Sequence, residues 1–349
     1  LRAALLGGWL VLAGHGTAQA CAFDMVKPER TAIDWIVDAD HLVLTRPQAG
    51  NAFLFGVEEV LAGRAEATPV DQLVDTATRN RLVLNPDDAV LFARIEGGPW
   101  HRVGYVDARF RDLMDVALAH RSEWRAGMTQ SRTDFIHALQ ASDDPIQRTV
   151  VIGELDKVPY PDLRAFDLHI PVEQLLADLW TPAGYPYQAI RALLLGLSGT
   201  PEARAEIAAF IDRVEDWEWA NNLGAFAAAY IELEGVAGVE HLARGMLSDA
   251  AQPLDKVEQI VMALSVHHGL AEPALRDAIG ETIQKLVVQR PETGVAIARQ
   301  FSLRADWSQS AVLEPLVRAR NFTTMGDLLT VSVYLATARQ ETMSTGGTE

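Results

Sequence analysis

His267 and His268, followed by Gly269, are the imidazoles of this chain placed most like metal ligands. Adjacent helical side chains diverge by about 100°, so one ion between them requires a distorted turn. Two histidines that close a helix need only the negative end of its dipole. Asp38, Asp40 and His41 form a second cluster of ligand-type groups, which also reads as a polar approach to a strand. Gly196-Leu197-Ser198-Gly199 resembles a nucleophile elbow in outline but lacks the glycine spacing of G-x-S-x-G, and a helix stop accounts for it. No Walker A, G-x-G-x-x-G, H-E-x-x-H or EF-hand pattern occurs. The expectation is therefore no metal, no cofactor and no catalytic set: a protein that is not an enzyme.

The remaining chemistry is that of binding. Trp217-Glu218-Trp219 follows Asp212, Glu215 and Asp216, so two indoles stand beside clustered carboxylates in a connection between helices. Such a group clamps a cationic peptide through apolar area and cation–π attraction, or plugs a gap between helix pairs. Tyr185 and Tyr187, around Pro186, occupy the equivalent connection one pair earlier. Trp217, Trp219, Tyr185 and Tyr187 are the candidate partner-binding residues.

Composition limits the partner. The chain has 349 residues and a formal net charge of -17, from 47 acidic and 30 basic residues. That balance repels phosphate backbones and argues against nucleic acid, while a basic protein or peptide suits it. The one cysteine, Cys21, excludes an internal disulfide framework and a cysteine-built zinc site. Arg2, the apolar run Ala3–Ala13 and Ala18-Gln19-Ala20 have the order of a secretory signal over residues 1–20, which leaves Cys21 as the first mature residue. Cys21 is then a free N-terminal cysteine, a small buried residue or a lipid-attachment site, although Ala18 stands where lipoprotein signals carry Leu. No later run is long and apolar enough to span a bilayer.

The elements that must carry these residues fall into two classes. His41–Thr45, Phe53–Leu61, Ala89–Ile95 and Trp100–Val106 are short, Val- and aromatic-rich, and bounded by Gly and Pro, as strands are. The expectation is a small barrel over residues 21–120, with one helical turn and an extended piece in Asp71–Leu84 and a closing helix from Asp107. Beyond Trp124 the apolar period becomes helical. Pro145, Pro201, Pro253 and Pro273 mark helix starts, and Gly199, Gly235, Gly269 and Pro291 mark ends. Pro171–Glu234 alone holds four amphipathic helices, each too short to bury its stripe unaided. Grouped in twos, the helices recur about every 33–41 residues, the period of helical-hairpin repeats. Residues 121–342 are thus expected to form an all-α solenoid, and 343–349 a tail without fixed structure.

Cys21-Ala22-Phe23 after a leader, the strand Ala39–Leu44 and the run Phe55–Gly63 resemble the netrin-module or TIMP-like OB barrel. Glu154–Arg164, Leu193–Ala203 and Ala228–Leu242 are similar to secreted bacterial proteins that join such a barrel to HEAT-like helices. The resemblance implies an α+β multidomain chain, an OB-like barrel followed by a HEAT-like solenoid, exported to the periplasm or beyond. It also implies an interaction scaffold without catalysis. Two alternatives accompany it: a TIMP-like inhibitor acting through Cys21, in which the terminal amine and carbonyl chelate a protease's zinc, and an enzyme with its site between barrel and solenoid.

Overall fold

Thr31 opens the first described helix with a reciprocal cap: its hydroxyl accepts the Asp34 amide at 3.1 Å and the Asp34 carboxylate accepts the Thr31 amide at 2.8 Å. The structure, a computed structural model, describes residues 30–64, 69–217, 220–320 and 322–345. Its N-terminal elements are α1 (Ala32–Asp38), β1 (His41–Gln48), β2 (Asn51–Ala62), α2 (Thr76–Leu84), β3 (Ala89–Arg94), β4 (His101–Val106) and α3 (Ala108–Ala119). The four strands form one antiparallel sheet in the order β2-β1-β3-β4.

Strand alternation gives the sheet two buried faces. Leu42 and Leu44 of β1, opposite Ala93 and Leu91 of β3, face α1 and α3 through Ile33, Ile36, Phe110, Leu113 and Met114. Val43, Val90 and Phe92 point the other way, onto Phe55, Val74, Leu82 and Trp100. The sheet thus lies between helices on both sides, and among the described residues no β2–β4 pairing closes it into a barrel.

Two segments here differ from expectation. The sequence reading has no helix at 32–38, yet the Thr31/Asp34 box and the i, i+3, i+4 set Ile33, Ile36, Val37 make one. Within Asp71–Leu84 the extended piece comes first, with Leu73 bridged to Leu54, and a nine-residue helix, Thr76–Leu84, follows in place of one turn, because Asp75 accepts both the amide and the hydroxyl of Thr78.

The helical part follows as α4 (Arg121–Trp124), α5 (Gln130–Leu139), α6 (Pro145–Leu155), α7 (Tyr160–Ala165), α8 (Val172–Leu179), α9 (Gln188–Ser198), α10 (Pro201–Val214), α11 (Leu223–Glu234), α12 (Val236–Leu242), α13 (Leu254–His268), α14 (Pro273–Gln289), α15 (Gly294–Ser302), α16 (Ser310–Ala319) and α17 (Met325–Thr345). Asp144, Thr200 and Glu272 precede the N1 prolines of α6, α10 and α14, and Gly199 ends α9 in the left-handed region at φ 64°. From α9 onward alternate helices pack on one another: α9 on α11, α11 on α13, α13 on α15, α15 on α17. A second layer places α12 on α14 and α14 on α16. The chain is therefore α+β, a small N-terminal sheet followed by layered helices. α17 continues through Thr345, so Met343–Thr345 are a last helical turn rather than tail; Thr342 Oγ1 donates back to Ala338 O and Arg339 O.

An ion network joins the two parts. Lys157 Nζ donates to Asp34 Oδ1 at 2.5 Å and to Glu154 Oε1 at 2.6 Å, while Arg132 Nε donates to Glu154 Oε2 at 2.6 Å. The Glu154 side chain is fully buried, and the two cations that face it supply the pairing a buried carboxylate needs. Burial raises the Asp34 carboxyl, but Lys157 and the Thr31 hydrogen bonds outweigh that and hold it below the ordinary range. Apolar packing is continuous across the junction, since Trp124, Phe135 and Val150 belong to the core beneath the sheet.

Candidate functional site

Of the four aromatic candidates, the structure places two at the surface on neighbouring connections. Trp217, between α10 and α11, is 47% exposed. Tyr185 lies in a 3₁₀ turn between α8 and α9, half-buried, and its hydroxyl accepts Asn221 Nδ2 at 2.6 Å from the Trp217 connection. Tyr187 is not available to a partner: it is buried in the helical core, and a Cβ at Gly153 would stand 3.3 Å from its hydroxyl. It is the last residue of the 3₁₀ turn Tyr185–Tyr187, which delivers its ring inward. Trp219 and Cys21, like the whole expected leader, lie outside the described residues.

These connections form a ladder. Asn222 Nδ2 donates to Gln188 Oε1 (2.9 Å), Gln252 Nε2 to Glu215 O (3.0 Å), and Arg290 Nη1 to Gln252 O (3.1 Å). Its strongest rung is Lys256. The residue is 2% exposed, and its ammonium donates to Val214 O, Glu215 O and Trp217 O at 2.8, 2.7 and 2.7 Å. Three donors meet the open carbonyl end of α10, where a cation is also favoured by the dipole. Burial lowers the Lys256 pKa, against the pull of Asp216, Glu215 and Asp249. Sequence reasoning missed Lys256 because it sits beside the apolar stripe of α13, and its partners are carbonyls 39 to 42 residues away.

The histidines separate rather than converge. His267 Nε2 donates to Ala228 O at 2.8 Å, which leaves Nδ1 unprotonated 3.7 Å from Glu232 Oε2. Burial pushes its pKa down to about 4. Glu232 also accepts the Tyr160 hydroxyl at 2.8 Å and Arg164 at 3.1 Å, so the node fixes α7 to α11 and α13. His268 turns to Asp306, Nδ1 to Oδ2 at 2.6 Å. Asp40 accepts the Glu96 amide, Asp38 stands 3.8 Å from Arg30, and His41 packs edge-on to Trp100. Among the described residues no three His, Cys, Asp or Glu side chains could share a metal. Gly196-Leu197-Ser198-Gly199 is a helix end: Ser198 Oγ donates to Leu195 O, and a Cβ at Gly196 would lie 2.7 Å from Ala229 Cα.

Comparison of the chain with protein-family models, curated proteins and solved structures gives no match. No helix among the described residues is long and apolar enough to cross a membrane.

A hollow of about 220 Å³ lies across the first turns of α13, α15 and α17. Leu254, Val257, Val295, Ala296 and Phe322 supply apolar walls; Asp255, Glu258, Glu292 and Asp327 supply carboxylates, against Arg299 in the lining and Arg290, whose Nε lies 3.0 Å from Glu292. Arg299 is already held by Glu258 at 2.8 Å, and Asp255 has no cation within ion-pair reach among the described residues. Three helix N-termini offset about half a charge each, which leaves the hollow negative. Its volume lies below that of drug-sized ligand sites and suits one long side chain with an apolar stem and a cationic head.

Proposed function

We propose that this chain is an exported, non-catalytic interaction scaffold, an N-terminal sheet module carrying a HEAT-like solenoid that docks a basic segment of a protein partner. The hollow lined by Asp255, Glu292 and Asp327 over Leu254, Val295 and Phe322 carries this reading. Lysine or arginine fits both halves of that lining, whereas a phosphate or an acidic peptide meets repulsion. The exposed Trp217, whose carbonyl accepts Lys256 of α13, extends the same surface toward a partner. Export rests on the order of charge, apolar run and Ala-x-Ala at residues 2–20.

The test is fluorescence polarisation with a labelled Lys/Leu-alternating peptide and its Glu/Leu counterpart. The basic peptide should bind, salt should weaken it, and Asp255→Lys should reduce affinity by about tenfold with the circular dichroism spectrum unchanged. Equal binding of both peptides, or none of the basic one, overturns the proposal. Intact-mass measurement of the exported protein separates a free Cys21 from an acylated one, and a mass equal to the full chain rejects the leader.

A further inference from the structure

At the end of the sheet where β1 and β4 begin and β2 and β3 stop, the register sets His41 directly opposite Arg94. Both side chains leave the sheet on the face of Val43 and Phe92, since residues two apart in a strand share a face. Both rest on Trp100, which is buried beneath that face. The His41 ring meets the indole edge-on at 6.4 Å, and the Arg94 guanidinium carbon lies 4.8 Å from the indole centroid.

What neither group has is a polar partner. Among the described residues the His41 and Arg94 side chains make no hydrogen bond and no ion pair, although both are partly buried. His41 Nδ1 and Arg94 Nε are shut off from solvent with nothing to bond, and a Cβ at Gly63 would fall 2.3 Å from that Nδ1. Other guanidiniums without a carboxylate spend their donors on carbonyls: Arg121 and Arg125 on Val37 O, Arg276 on His268 O and Ala271 O. Arg94 donates to nothing. The chain holds 47 acidic residues against 30 basic ones, so carboxylates are not scarce, yet those nearby are directed elsewhere. Asp40 accepts the Glu96 amide at 2.7 Å, and Glu96 is exposed without pairing with Arg94. Arg64, exposed next to Gly63, adds positive charge at the same end.

Buried polar nitrogens without partners are costly and rare in folded proteins. The outer nitrogens of this pair, Arg94 Nη1 and Nη2 and His41 Nε2, are equally unpartnered and reach solvent. A guanidinium presents parallel N–H donors that match two oxygens of one group, and an imidazole N–H beside it supplies a third.

We propose that His41 and Arg94 form a binding site for a small oxyanion, a carboxylate or phosphate group, at this end of the sheet. Arg94 takes two oxygens, His41 Nε2–H donates a third hydrogen bond, and the Trp100 floor strengthens all three by lowering the local dielectric. The site draws on β1, β3 and the start of β4 and shares no residue with the hollow on α13, α15 and α17.

Proton–carbon correlation NMR of the full chain with labelled histidine tests it, the His41 ring resonance being assigned by its loss in His41→Gln. Sodium phosphate and sodium acetate are titrated separately at neutral pH and constant ionic strength, with chloride as the balancing anion. At least one should shift the His41 resonance along a saturable curve with a dissociation constant of about 1 mM, and which one does so identifies the group. Arg94→Gln should raise that constant at least about tenfold. Arg94→Lys, which keeps the charge but not the fork, should lie between, both with circular dichroism unchanged. No saturable shift with either anion overturns the proposal, and so does a shift that is the same in wild type and both Arg94 variants. Should Arg94→Gln fail to fold, the wild-type titration and Arg94→Lys decide.

Discussion

Replacing Lys256 with Met keeps the aliphatic stem and removes the ammonium that closes the end of α10. Three hydrogen bonds of 2.7–2.8 Å disappear at once, all to carbonyls beneath a residue that is 2% exposed. A bond to a charged donor contributes about 1.5 kcal/mol net, so the gross loss is about 4.5 kcal/mol. Relief of the buried ammonium's desolvation returns part of that. The expected net destabilisation is about 3 kcal/mol, a large fraction of the 5–15 kcal/mol that folded domains hold in total. Urea unfolding of wild type and Lys256→Met at neutral pH, followed by far-ultraviolet circular dichroism, measures it as a lower midpoint. Lys256→Gln, which keeps two donors on a shorter stem, should fall between the two. If Lys256→Met unfolds within about 0.5 kcal/mol of wild type, the three carbonyls are satisfied without the ammonium and the argument fails.

Other perturbations follow from the same geometry. Gly196→Ala drives a methyl to 2.7 Å from Ala229 Cα and should cost about 2 kcal/mol by separating α9 from α11, read by thermal denaturation. Glu154→Gln leaves Arg132 and Lys157 facing a neutral amide in a buried site and should cost about 3 kcal/mol in urea; an unchanged midpoint would show that the junction is held by apolar packing alone. His267 has a folded pKa of about 4 against about 6.5 unfolded. Between those values the unfolded chain holds a proton that the folded chain does not, so stability falls as pH drops through the window, by about 3 kcal/mol in full. His267→Gln should flatten that part of the profile between pH 6.5 and 4, and an unaltered slope refutes the assignment.

The helical half was legible because its boundaries are local. Asp144-Pro145, Thr200-Pro201 and Gly199 act within one turn of where they stand, and stripes such as Ile207, Phe210, Ile211, Val214 announce the buried face directly. The four strand segments were legible for the same reason, although whether their sheet closes is decided by pairing between distant edges. α1 went unread because seven residues give too short a period to stand out beside Trp35 and the strand that follows, even with Thr31 and Asp34 in capping positions. For the site, the sequence left Trp217 open between a surface clamp and a plug between helix pairs, and it could not place Tyr187 inside, since the 3₁₀ turn that ends at Tyr187 decides its direction. Lys256 was invisible in principle: carbonyls carry no sequence signature.

The ladder of Asn222, Gln252, Lys256 and Arg290 has a mechanical corollary. Each rung reaches back 34 to 42 residues, to the helix pair before it and no further. Tension applied at α17 therefore loads one rung at a time, and the layers should part as a zip does, in a succession of small yields beginning far from the β-sheet. The fully buried Glu154 network would be the last seam to open, which makes the β-sheet end the anchored terminus and α17 the compliant one.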